Sequence, residues 1–205
     1  DQCIVEGMKV NTPNGEINIE DLEVGDKVYS AGGQGKVAEG SIDYVRKSKY
    51  KGPIIKIKTQ SGKELKLTPN HIMFGKLNPE PGVYYVYLMY KKELGYRIGQ
   101  TQGVRAYEKG KVINGLEVRI NQEHGDKAWI LKVCDTKEDA SYYEMLYSAK
   151  YGIPTLVFHP KGRNIMFNQE YINNFFSELD TRTNVIRLME DLMIYKEYPI
   201  VRQGA

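Results

Sequence analysis

Over residues 1–75 the apolar side chains fall in short runs rich in Val and Ile, cut by Gly15, Gly25, Gly32, Gly33, Gly35, Gly40, Gly52 and Gly62. Ile54-Ile-Lys-Ile-Lys-Thr59 alternates as a half-buried strand does. Gln60-Ser-Gly-Lys63 then turns the chain and Glu64-Leu-Lys-Leu-Thr68 alternates again, which predicts a hairpin. Strands this short, with turn signals every roughly eight to twelve residues, predict a small all-β sandwich or barrel.

The pattern changes after Asn78-Pro-Glu-Pro-Gly82, whose two prolines favour an extended linker. Val83-Tyr-Tyr-Val-Tyr-Leu-Met-Tyr90 and Tyr96-Arg-Ile-Gly99 read as paired strands around the loop Lys91–Gly95, with Ala128–Cys134 as a third strand. Lys137–Tyr151 reads as a helix: Thr136 can cap its first turn, and Gly152-Ile-Pro154 stops it. From Asn168 onward Ile172, Phe175, Phe176 and Leu179 recur at helical spacing. After Asp180-Thr181 a second helix runs through Val185, Leu188, Met189 and Leu192. These apolar positions are packing faces.

Composition narrows the class. With 205 residues, 41% hydrophobic and 27% charged, the chain has the makeup of a globular protein of one or two domains. No run of about eighteen apolar residues would span a membrane. Two cysteines are too few for a disulfide framework, so a reducing cytoplasm is expected. The net charge of +3 is unevenly spread: residues 76–132 hold 10 Lys/Arg against 6 Asp/Glu, a local surplus of the sign that phosphate-backbone contact needs.

The block from Cys3 to Ser30, CIVEGMKVNTPNGEINIEDLEVGDKVYS, resembles the first block of inteins and related Hint domains. Gly62-Lys-Glu-Leu-Lys-Leu-Thr-Pro-Asn-His71 resembles their Thr-x-x-His motif. The resemblance implies that Cys3 attacks the carbonyl of Gln2 and converts the peptide bond into a thioester. A cysteine thiol with its ordinary pKa of ~8.5 is only a few per cent thiolate at neutral pH, so the step needs help. In the family the block histidine, here His71, gives a proton to the departing amide nitrogen. The block threonine, here Thr68, holds the scissile peptide. His71 is therefore expected near the backbone nitrogen of Cys3, with Thr68 beside the Gln2–Cys3 bond. A complete intein closes on His-Asn, whereas His71, His124 and His159 are not followed by Asn. The resemblance thus implies either a natural split half or a piece of a longer chain, and a start on Asp1 rather than Met favours the piece. Asp1-Gln2 before the nucleophile resembles the GD-x-x-Q motif of UvrD-like DNA helicases, which implies a helicase as host.

Tyr85-Val-Tyr87 followed by Arg97-Ile-Gly99 resembles the paired GIY and YIG strands of a homing endonuclease family, with Tyr85 replacing a glycine and Arg97 a tyrosine. That resemblance implies an arginine for the pentavalent phosphate, Arg105, with Arg119 as runner-up. It also implies a helix-borne carboxylate for Mg²⁺ or Mn²⁺, Glu144. Tyr85, Tyr87, Tyr96 and Arg97 are expected to border the same concave face and contact double-stranded DNA.

Together these readings give an α+β chain: a two-residue N-extein remnant at 1–2 and an all-β Hint horseshoe over 3–80. A GIY-YIG-like α+β module over 81–160 and a helical segment over 161–205 follow, leading to a C-terminal splicing block outside the chain. The expected function is the N-terminal part of a self-splicing intein, which needs no cofactor for splicing, with host exteins as partners. Two alternatives stand beside it: a metal-dependent DNA endonuclease with a relic Hint domain, and a non-splicing autoprocessing Hint domain.

Overall fold

The computed structural model describes residues 3–32, 36–73, 77–108 and 111–202. The chain divides into two compact units, Asp1–Lys76 and Leu77–Ala205.

Three antiparallel hairpins build the first unit. β1 (Lys9–Thr12) pairs with β2 (Gly15–Asn18), β3 (Lys27–Ala31) with β4 (Val37–Ser41), and β5 (Ile55–Lys58) with β6 (Glu64–Leu67). The β5–β6 turn is set by its own side chains. Thr59 Oγ1 accepts the Lys63 N–H at 3.0 Å, and Gly62 takes a left-handed φ of +84° that a side chain would strain. The N-terminal segment is laid along β6, with Ile4 bridged to Leu67 and the Val5 N–H donating to Lys66 O. Little of this unit is buried: among its described residues only Thr12, Leu22, Leu67 and Thr68 are.

The second unit is organised by a mixed-length antiparallel sheet of order β12-β11-β7-β8, made of β7 (Tyr84–Lys91), β8 (Gly95–Gln102), β11 (Lys127–Cys134) and β12 (Val201–Arg202). A separate hairpin, β9 (Val104–Glu108) with β10 (Lys111–Asn114), leads into α1 (Gly115–Glu123). α2 (Lys137–Tyr151), α3 (Gln169–Ser177) and α4 (Thr181–Asp191) follow.

Both sheet faces are covered, which is why β7 reads as an almost unbroken apolar run. Because strand side chains alternate, Val86, Leu88, Tyr96, Ile98 and Trp129 share one face. They pack with Ala140 and Tyr151 of α2 and with Val185, Leu188 and Met189 of α4. The other face presents Tyr87, Met89 and Ala128 to Leu116 and Ile120 of α1, to Phe158, and to Ile172 and Phe176 of α3. Each Val, Leu, Ile, Met and Phe side chain among them contributes roughly 1.5–3 kcal/mol when withdrawn from water. The second unit therefore owns a core that the first lacks.

Caps fix the helix ends. Thr136 Oγ1 accepts the Asp139 N–H at 3.1 Å and Gly152 ends α2 at φ +64°. Asn168 and Asp180 accept at the N-termini of α3 and α4 in the same way. Helix α1 and the hairpin before it are absent from the sequence-based expectation. The Asn114 side chain caps α1 by accepting the Leu116 N–H at 3.0 Å. Gly115 is required there, since a Cβ would run into the backbone oxygen of Gln102.

Candidate functional site

The first unit offers a junction built on Cys3. Its N–H donates to Thr68 Oγ1 at 3.0 Å, and the Thr68 N–H donates to Cys3 O at 3.0 Å. Two hydrogen bonds thus hold the cysteine backbone on both sides. Thr68 is fully buried at the end of β6, so this hold is rigid. A tight turn follows, closed by the His71 N–H donating to Thr68 O at 3.0 Å. His71 Nδ1 is buried and has no hydrogen-bond partner among the described residues. Most buried polar atoms find partners, and an exception calls for an explanation such as a catalytic role. Ser48 Oγ lies 3.8 Å from Cys3 Sγ, a neighbour nothing in the sequence pattern singles out. Gln2 lies outside the described residues, as does Asp1.

The second unit holds a cleft of about 450 Å³ at the outer strand β8. Tyr87, Arg97, Arg105, Arg119, Arg163, Lys137 and Glu144 are among the residues lining it. One carboxyl group therefore faces five cationic side chains. Burial lifts the Glu144 pKa above the ordinary carboxylate value, against the opposing pull of Arg97, Gln100 and Arg119. Gly99 makes room for the floor: a Cβ there would come within 2.5 Å of Tyr87 Oη and 2.7 Å of Arg97 Nη1.

Beneath the floor runs a buried ionic network. The Glu123 carboxylate, wholly buried, accepts from Arg97 Nη1 at 3.2 Å, Arg163 Nη2 at 2.6 Å and the Phe158 N–H at 3.1 Å. Arg97 also donates to Tyr87 Oη at 2.9 Å and to the carbonyls of Leu156 and Thr155 at 2.8 and 2.7 Å.

The model of the Hint module family matches residues 1–112 of this chain. The chain belongs to the Hint family. No curated protein and no solved structure matches it. A Hint module mediates autocatalytic processing, and in this one the two sequence blocks converge: Cys3 opens the first and hydrogen-bonds to Thr68 of the second. Outside the matched span lie Arg119, Lys137, Glu144 and Arg163, which line the cleft. Among the described residues no helix is long and apolar enough to cross a membrane.

Three sequence-derived positions in this Hint chain are corrected by the structure. Tyr96 packs in the opposite face of the sheet, against Trp129 and Tyr90, because it directly precedes Arg97 and consecutive strand residues point apart. Tyr85 shares the face of Tyr87 but is buried and does not line the cleft. Arg97 does line it, yet it is engaged by internal partners and only 3% exposed, so it holds its neighbours in place and presents little surface of its own. Arg105, exposed at the rim, and Arg119, part-buried, line the cleft together with Glu144. Arg163 and Glu123 escaped sequence reasoning, since their partnership spans 40 residues of chain.

Proposed function

We infer that this Hint module carries out the first step of protein splicing at the Gln2–Cys3 bond. Cys3 Sγ attacks the Gln2 carbonyl carbon, the carbon–nitrogen bond breaks, and a thioester forms. The Cys3 nitrogen leaves as a free amine, taking a proton from His71 while the thiol proton passes to solvent. The observation that carries this reading is the paired hold of Cys3 by Thr68, with the unpartnered His71 Nδ1 one turn away. Thr68 Oγ1 takes the hydrogen of the very nitrogen that must leave, which fixes its orientation for protonation. General acid catalysis of this kind contributes typically about 10²–10⁴-fold. A C-terminal splicing block ending in His-Asn would complete the reaction. The exposed Val24, Val37, Tyr44 and Ile55 are apolar surface for it to cover. Asp1-Gln2 supports a DNA helicase as host, and a cytoplasmic setting would keep Cys3 reduced.

The test uses the chain extended by a few host residues before Asp1. Added thiol releases the N-terminal peptide; Cys3→Ala abolishes release and His71→Ala slows it about 10²–10⁴-fold. Continued cleavage after Gln2 in the Cys3→Ala protein overturns the assignment.

A second reading concerns the second unit, and a separate observation favours it: Arg105, Arg119 and Glu144 line one cleft. On this reading the unit is an inserted GIY-YIG-like endonuclease acting on double-stranded DNA. Its metal, Mg²⁺ or Mn²⁺, would be held by Glu144. A single carboxylate suits Mg²⁺, which keeps several waters and takes the rest of its ligands from substrate phosphates. Among the described residues no group of three acidic, His or Cys side chains offers an alternative cage. The metal, when bound, polarises a phosphoryl oxygen. Arg105 neutralises charge on the phosphate in flight. Nicking of supercoiled DNA with Mg²⁺, lost in Glu144→Ala, is the expected result. Equal nicking by both proteins removes Glu144 from the reaction.

A further inference from the structure

The cleft holds more cationic side chains than the proposed cleavage needs. Of its four arginines, Arg97 is spent inward and Arg105 lies exposed at the rim. The other two, Arg119 and Arg163, are only partly partnered. Arg119 Nη1 reaches Gln122 at 3.3 Å and Arg163 Nη2 reaches Glu123 at 2.6 Å. Each leaves its Nε buried with no hydrogen-bond partner.

A buried donor left unmade costs about 1–3 kcal/mol, and more when the group is charged. Two side chains that each carry such a donor line one cleft, which points to an acceptor that a ligand brings. The charges point the same way. Burial first, and then the charge of Arg163, press the Arg119 pKa below the ordinary arginine value, so the two guanidiniums are near enough to repel. An anion bridging them reverses the sign of that interaction. Guanidinium edges bind phosphate with two parallel N–H donors, a geometry that Lys does not offer.

Arg163 is also held in place. Glu123 accepts both Arg163 and the Phe158 N–H, while Arg97 donates to the carbonyls of Thr155 and Leu156. The buried Arg97–Glu123 pair thereby ties down the segment from Thr155 to Arg163 that forms one wall of the cleft.

We propose that Arg119 and Arg163 form a shared seat for one backbone phosphate of duplex DNA, with Arg97 and Glu123 as the positioning residues that hold Arg163 there. The proposal rests on the nuclease reading of this cleft for its choice of ligand. The open cleft, with Arg105 at its rim and Lys137 in its lining, suits a polyanion running across it better than a small free anion.

The experiment measures binding of a short fluorescent DNA duplex to the full chain, without divalent metal, over a range of NaCl concentrations. Each phosphate neutralised contributes about 0.9 to the slope of log affinity against log salt. Arg119→Gln and Arg163→Gln should each lower the slope by about one. The double variant should lower it by the same amount, because both side chains serve one phosphate. Arg163→Lys, which keeps the charge and loses the fork, should keep the slope and bind more weakly. It carries the test if the Gln variant fails to fold, as judged by Trp129 fluorescence. An unchanged slope in Arg163→Gln overturns the seat, as does a double variant that loses about two. A wild-type chain that does not bind the duplex, or prefers the matching RNA duplex, overturns the DNA assignment. A wild-type chain that binds with the full slope but never nicks DNA overturns only the nuclease reading.

Discussion

Glu123 is the best single probe of the second unit. Its carboxylate meets two guanidiniums and one backbone N–H with no exposure to water. Glu123→Ala removes the counter-charge and all three hydrogen bonds together. Breaking a buried ion pair by deleting one partner costs about 3–5 kcal/mol, since the charge left behind is uncompensated. Arg97 keeps Tyr87 Oη and two carbonyls, and the Arg163 side chain is 16% exposed, which places the expected loss near ~4 kcal/mol. Glu123→Gln keeps one acceptor and the shape, and should lose about 1.5–3 kcal/mol, the worth of a hydrogen bond to a charged group. Against a total of roughly 5–15 kcal/mol the Ala variant is near its limit. Trp129 is the one tryptophan of the chain and is 2% exposed in the second unit, so urea unfolding followed by its fluorescence reports that unit selectively. Replacing Glu123 by Leu together with Arg97→Met and Arg163→Met should recover most of the loss, because apolar side chains of similar volume restore a satisfied core. An Ala variant that loses less than about 1 kcal/mol, at unchanged m-value, would refute the network as the brace of the cleft wall.

Other outcomes follow from the same geometry. Thr68→Val, nearly equal in volume, removes the acceptor for the Cys3 N–H; thiol-induced release should slow at least ~10-fold while the fold persists, and an unchanged rate removes Thr68 from the junction. Gly99→Ala should destabilise the second unit by about 1–3 kcal/mol, because its Cβ meets Tyr87 Oη and Arg97 Nη1; a neutral effect on Trp129-monitored unfolding contradicts that packing. Glu144 titrates above its ordinary 4.5 in the folded unit, so its contribution to stability is present below that pH and is lost as pH rises through the folded value. Glu144→Gln should therefore gain on wild type between pH 4.5 and neutrality, and a difference that shrinks over that range sinks the reading.

What the sequence made legible was whatever is decided locally. Helix α2 is readable because Thr136 and Gly152 carry its cap chemistry in their own side chains and backbones. The β5–β6 hairpin is readable because alternation and the turn at Gly62 coincide. Helix α1 is not, since only Leu116 and Ile120 supply its buried apolar face within nine residues, and Asn114-Gly115 looks like a turn. Placing Tyr96 in the cleft overrode strand alternation with motif resemblance. Once β8 is a strand, Tyr96 and Arg97 cannot share a face. Arg163 was invisible because its meaning comes from Glu123 in three dimensions.

Arg97 also constrains how the cleft could do chemistry. It stands where the resembling family has a tyrosine, and a guanidinium cannot accept a proton. Of the two phenols in the lining, Tyr84 and Tyr87, the one hydrogen-bonded to Arg97 is Tyr87. Burial raises its pKa, and the Arg97 charge beside it does not reverse the shift, so it enters neutral solution as a phenol. A buried phenol can orient a water or phosphate oxygen but does not supply a base. The carboxyl lining the cleft is Glu144, whose pKa burial raises above the ordinary carboxylate value. On the nuclease reading the rising limb of activity with pH then belongs to ionisation of this carboxyl, which frees it to hold the metal, rather than to a phenol. A limb in the alkaline range of tyrosine, surviving in Glu144→Gln and absent in Tyr87→Phe, would reverse these roles.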